Sequence, residues 1–168
     1  MDKTYIQDII GQKFSTIGRA ADMAWLGFGK EVQATDWKGR DRIVHEFALH
    51  LQTSWRIIDN QSDRIVIASG DMYYPISDTD TNAKTFDWDT FDWDIQGGNL
   101  YDERAENMNL SENDSRVLDV TVNDHFDICI TFSNGWCLQA FISRTQGEVW
   151  RFFEPTKGKD HFVAENIK

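Results

Sequence analysis

The sequence predicts an α+β domain on a mainly antiparallel sheet, either one curved sheet or two packed sheets, with one or two short helices. Three observations carry this. Apolar residues alternate with period two in several segments of strand length. Turn sequences such as Lys38-Gly39-Arg40 and Asn134-Gly135 separate them. Neither βαβ alternation nor a Gly-rich phosphate loop occurs, which argues against a doubly wound nucleotide-binding fold. With 168 residues, 40% hydrophobic and 13% aromatic, and only two prolines, the chain can bury a core as one domain over 1–168.

The elements follow in order. Tyr5, Ile6, Ile9 and Ile10 repeat at helical spacing over residues 3–11, and Gly11 is a stop signal. Gly18–Phe28 is rich in small residues beside Trp25, Leu26 and Phe28. Asp41–Ile58 is the strongest strand signal. Ile43, His45, Phe47, Leu49 and Leu51 share one face, expected to be the core face, and Val44, Glu46, Ala48, His50 and Gln52 the other. Its length predicts a bend near Gln52–Ser54. Arg64–Ser69 is expected to pair back as a hairpin across Asp59–Asp63. From Gly70 to Gly98 the alternation is lost. Leu100, Arg104 and Met108 then form a helical stripe over 99–109. The last third reads as a meander of Arg116–Val122, Phe126–Phe132, Trp136–Ile142 and Glu148–Phe153, with His161–Ile167 as an edge strand. Asn134-Gly135 predicts a hairpin with positive φ angles in a tight primed turn.

The formal charge of −11 is concentrated in the middle of the chain. Residues 71–114 hold twelve acidic side chains against Lys84 and Arg104, a net −10. This segment is an acidic, aromatic-containing insertion of loop and helix. Such a field repels nucleic acid and anionic membrane surfaces and attracts basic proteins. Neither a membrane-length apolar run nor a secretory core is present, so a cytoplasmic protein is expected. Cys129 and Cys137 do not make a disulfide framework or a four-ligand zinc site.

Inside the insertion, Phe86-Asp87-Trp88-Asp89 recurs as Phe91-Asp92-Trp93-Asp94. A period of five fits neither helix nor strand. Two readings stand. The repeat is a docking surface, with Asp87, Trp88, Asp89, Asp92, Trp93 and Asp94 contacting a basic partner. Alternatively it is a structural pin, with its rings largely buried and its carboxylates exposed or paired.

The chemistry-bearing residues form no catalytic constellation. His45 and His50 fall on opposite strand faces and no HExxH or GxSxG occurs. Cys129, between Ile128 and Ile130, reads as a buried thiol. No catalytic residue, metal ligand or cofactor is assigned.

Three stretches together resemble a family of small bacterial proteins known only as domains of unknown function. They are His50–Ile57 with Ser69-Gly70-Asp71; Phe91–Asp94 with Gly98-Asn99 and Tyr101-Asp102-Glu103; and Ile130–Leu138 with Glu148–Phe152 and His161-Phe162-Val163. The resemblance covers most of the chain and implies no activity or catalytic residue. Comparable small acidic proteins serve as immunity proteins to toxins, so by analogy it implies a toxin-neutralising role. The first stretch also suggests a small-molecule or metal pocket near His50, Trp55, Arg56 and Asp71. In that hairpin Arg56 is expected to pair with Asp71.

Overall fold

The computed structural model describes residues 3–36, 38–157 and 161–165. It opens with a 3₁₀ helix, Lys3–Ile9, rather than an α-helix. Ile6 and Ile9 share its buried side, because residues three apart eclipse at three residues per turn. Ten strands follow among the described residues: β1 (Phe14–Ala20), β2 (Met23–Thr35), β3 (Asp41–Leu51), β4 (Ser54–Asp59), β5 (Arg64–Ala68), β6 (Val117–Val122), β7 (Ile128–Phe132), β8 (Trp136–Phe141), β9 (Glu148–Phe153) and β10 (His161–Glu165). A second 3₁₀ turn, Ser69–Tyr73, and the helix α1 (Leu100–Asn107) lie in the insertion.

The strands form two five-stranded sheets, ordered β1-β2-β3-β9-β10 and β5-β4-β8-β7-β6. Every strand pairing is antiparallel. This is the two-packed-sheet form of the expected α+β architecture. The bend expected near Gln52–Ser54 is a crossing between sheets: β3 belongs to the first and β4 to the second. One hydrophobic cluster draws on both sheets, with Leu26, Phe28, Leu49 and Phe152 from one and Ile57, Ile130 and Leu138 from the other. Phe14 joins the layers by stacking on Phe28 at 5.4 Å and on Phe132 at 5.2 Å. An isolated bridge between Lys13 and Arg116 brings the β1 and β6 edges together.

The expected β7–β8 hairpin is present, with Ile130 opposite Leu138. Its turn differs from the expectation. Gly135 has φ +88° and donates to the Phe132 carbonyl at 3.1 Å, and Asn134 is not at positive φ. This is a type I turn closed by a left-handed glycine, a three-residue loop rather than a primed two-residue one. The Asn134 side chain instead accepts from the Trp136 amide at 3.2 Å. At the other end of the chain β10 is an edge strand over 161–165; residues 166–167 lie outside the described residues.

Candidate functional site

The insertion is built from short turns because its aspartates compete for their own backbone. Asp80 accepts the Asn82 amide, Asp87 the Asp89 amide and Asp92 the Asp94 amide, each at 3.0 Å. The repeated tetrapeptide is therefore a repeated aspartate turn, in which the first Asp binds the N–H two residues on. This explains a period that suits neither helix nor strand.

Helix α1 anchors the segment. Asn99, fully buried, caps it: its side-chain oxygen accepts the Asp102 amide at 2.9 Å, and its side-chain NH₂ donates to the Trp93 carbonyl at 2.8 Å. The Tyr101 hydroxyl donates to the Gly18 carbonyl at 2.9 Å, and its ring meets Trp55 edge-on at 5.9 Å. Burial drives the Tyr101 pKa upward, so the phenol stays protonated.

Arg19 of β1 is the main tie. Its side chain has no exposed surface. It grips Asp102 bidentately, Nε and Nη2 each 2.8 Å from a carboxylate oxygen. It also donates to Asp94 Oδ1 at 3.3 Å and to the Ile95 carbonyl at 3.0 Å. The bond to Asp102 raises the arginine's already high pKa, so this charge is permanent. The Asn99-x-x-Asp102 spacing was a legible cap signal; nothing in the sequence marked Arg19.

The repeat's side chains divide unevenly. Asp87, Asp89, Asp92 and Asp94 are all exposed, and of these Asp94 is paired. The rings are not largely buried as the pin reading expects. Phe86, Phe91 and Trp93 are half-buried and Trp88 is 51% exposed. They pack on one another and on neighbouring tyrosines: Phe86–Trp88 at 5.1 Å, Tyr74–Trp88 at 6.0 Å and Tyr73–Trp93 at 5.1 Å. With exposed Tyr73, Tyr74 and Ile95 they present an aromatic face amid carboxylates. The segment is too short of apolar residues to cover its own rings.

The four residues of the suggested pocket do not come together. His50 lies in the first sheet, beside Trp25 and Arg151. Trp55 is buried in the second sheet against Tyr101. Arg56 is opposite Ala68, donates to Gln139 Oε1 at 2.9 Å and does not pair with Asp71. Asp71 instead accepts the Ala68 amide at 2.8 Å and faces Arg104 at 3.6 Å. The sheet crossing between β3 and β4 separates what adjacency in sequence suggests.

A different cavity, about 420 Å³, opens on the first sheet. Cross-strand neighbours Gly27 and Ala48 line it together with Trp25, His45, His50 and Phe153. The two histidines thus share one cavity, against the opposite-face expectation. Beside His45 the register is broken by a β-bulge in β2, where three steps from Phe28 to Glu31 oppose two from Phe47 to His45. The His45 ring sits over Gly27, where a Cβ would lie 2.7 Å from it, and His45 Nδ1 is 3.2 Å from the Gly29 carbonyl. Burial, with Arg151 next, lowers the His50 pKa to about 4, so its imidazole is neutral at pH 7.

Among the described residues, no three His, Cys, Asp or Glu side chains converge as a metal site, and no helix is long and apolar enough to cross a membrane. Compared with known proteins, the chain matches no protein-family model, no curated protein and no solved structure.

Proposed function

We propose that this chain is a non-enzymatic protein-binding module of the cytoplasm whose acidic aromatic face docks a basic protein, in the manner of an immunity protein covering a toxin. The observation that carries the reading is the exposed ring cluster around Trp88, framed by Asp87, Asp89, Asp92 and Asp94. Rings left half in water supply contact area, and the carboxylates beside them select a cationic surface. A basic nuclease is the partner chemistry that fits best, since an acidic face can occupy a groove made for phosphates.

The test titrates basic nuclease domains against the chain by calorimetry at low and high salt. Binding should weaken by about tenfold or more at high salt, because exposed charges are screened beyond a Debye length of about 10 Å. Replacing the four repeat aspartates by asparagine should weaken it similarly, and Trp88→Ala should weaken it at both salt concentrations. Salt-insensitive binding, or full binding by the fourfold variant, rejects the acidic face as the docking surface.

The cavity between His45 and His50 supports a second reading, a small-molecule site. Among the described residues Arg42 is its only permanently charged lining side chain and no carboxylate lines it, in a chain of net charge −11. That chemistry suits an aromatic carboxylate held between the His45 and His50 rings, its anion drawn to Arg42. 2-Naphthoate should shift the amide resonances of Gly27 and Ala48, and 2-naphthamide, its uncharged analogue, should bind less well. Shifts confined to other residues reject this site.

A further inference from the structure

The β7–β8 hairpin places two free thiols together on the outer face of the second sheet. Cys129 is opposite Gln139 and Cys137 is opposite Thr131, so the two cysteines are diagonal neighbours on one face. Their sulfurs are 3.3 Å apart. This corrects the expectation for Cys129, which is half-buried rather than buried: it lines a shallow cavity of about 270 Å³ with Thr121, Asn123, Asp127, Gln139 and Phe141. Cys137 is buried beneath it, only 5% exposed.

We propose that Cys129 and Cys137 form an oxidisable dithiol site whose substrate is a small hydroperoxide and whose product is an intramolecular disulfide. This inference is independent of the docking surface and of the His45–His50 cavity.

The geometry divides the roles. An oxidant arriving from solvent meets Cys129 first. Its thiolate attacks the O–O bond of the peroxide, an S–O bond forms, and the leaving oxygen departs as water or an alcohol. Cys129 is then a sulfenic acid. The Cys137 sulfur attacks the Cys129 sulfur, the S–O bond breaks, and the hydroxyl takes the Cys137 proton and leaves as water. Two thiols lose two electrons and two protons, and the peroxide takes up both. A disulfide bond is about 2.0 Å long, so the sulfurs close by roughly 1.3 Å from their present contact. Diagonal cross-strand neighbours typically lie about 7–8 Å apart at Cα, so the paired strands draw together as the bond forms.

Burial supports the same assignment. It pushes the Cys137 thiol up to about 12, helped by the adjacent Cys129, so Cys137 is protonated at neutral pH and is a poor first nucleophile. Its reaction depends on having the Cys129 sulfur in contact. Asp127, in the same cavity, accepts from Asn123 at 2.9 Å and from the Ile142 amide at 2.8 Å, so its charge is partly engaged away from the thiol.

The experiment treats the purified chain with hydrogen peroxide at neutral pH and follows free thiols and intact mass. The expected result is loss of both thiols together, a monomer lighter by two hydrogens, and full reversal by dithiothreitol. Cys137→Ser should stop at a Cys129 sulfenic acid trapped by dimedone. Cys129→Ser should react at least about tenfold more slowly, its remaining thiol being buried. Phenylarsine oxide, which bridges adjacent thiols, should protect both cysteines of the unmutated chain and provides a reading free of any folding defect in the variants. The proposal is overturned if the unmutated chain accumulates a dimedone adduct without an internal disulfide. Disulfide-linked dimers in place of the monomeric product, or faster oxidation of Cys137 than of Cys129, would also overturn it.

Discussion

Replacing Arg19 with methionine tests whether the insertion is held by the buried ion pair. Methionine keeps most of the side-chain volume and removes the charge. Asp102, 14% exposed at its side chain, then loses its cation, and the carbonyls of Ala21, Asp94 and Ile95 lose their donors. Removing one partner of a buried pair costs about 3–5 kcal/mol, because the charge left behind is desolvated and uncompensated. For a chain of this size that is a fall of roughly 6–20 °C in Tm, at about 2–4 °C per kcal/mol. Urea unfolding followed by tryptophan fluorescence at pH 7 measures the loss. The double variant Arg19→Met/Asp102→Leu removes both charges and should recover at least about 2 kcal/mol relative to the single change. Hydrogen exchange should quicken over residues 86–98 in Arg19→Met, where the arginine's carbonyl partners lie. A loss below about 1 kcal/mol, or a double variant no better than the sum of two singles, refutes the anchoring argument.

Asn99→Ala should cost about 2 kcal/mol, one part from the helix cap and one from the lost bond to the Trp93 carbonyl; Asn99→Asp, which keeps only the cap, should recover about half in the same unfolding assay. His50 in the folded chain titrates near 4 against an unfolded value near 6.5, so protonation favours unfolding. Stability should therefore be full above about pH 6.5 and fall as pH drops toward 4, by up to about 3 kcal/mol; His50→Phe should flatten that slope, and an NMR titration placing His50 above 6 would contradict it. Gly135→Ala should cost about 1 kcal/mol or more, since φ is +88° and the new Cβ would sit 2.9 Å from the Gln61 side chain; adding Gln61→Ala should recover only the contact part, leaving the backbone strain visible in thermal melts.

Local pattern was enough for β5 and the C-terminal meander, but not for β1 and β2, which fall in a segment read only as rich in small residues. The alternation in β7 and β8 and the Asn134-Gly135 turn specify a hairpin without knowledge of anything distant. What pattern cannot specify is which sheet a strand joins. His50 and Trp55 sit in one long apolar run, yet the two-residue link at Gln52-Thr53 sends them into different layers. The proposed pocket depended on that run being one strand, and it fails there. The shared histidine cavity was illegible for a related reason: the His45 ring lies over Gly27 of the neighbouring strand, and a cross-strand contact of that kind leaves no local pattern. Arg19 was missed because its carboxylate partners are 75 or more positions away, and an isolated arginine beside small residues carries no pattern.

The charge balance inside the insertion leads to a further prediction. Its two internal cations cannot neutralise twelve carboxylates, and Arg104 is already engaged with Asp71. Arg19 supplies compensation from outside, but only at the Asp94–Asp102 end. Asp87, Asp89 and Asp92 are exposed beside the half-buried rings, so the free loop carries self-repulsion that a basic partner would relieve. Mobile salt relieves the same repulsion by screening it. Added sodium chloride should therefore make the free chain more stable while making its complex with a basic protein weaker. The fourfold Asp→Asn variant should show both responses clearly weakened, since the same charges contribute to each. Melting temperature and binding affinity, each measured across a salt series, read the two signs independently. If salt lowers the stability of the free chain, or if the neutralised variant keeps its salt-strengthened stability, the repulsion lies elsewhere and the repeat is not its source.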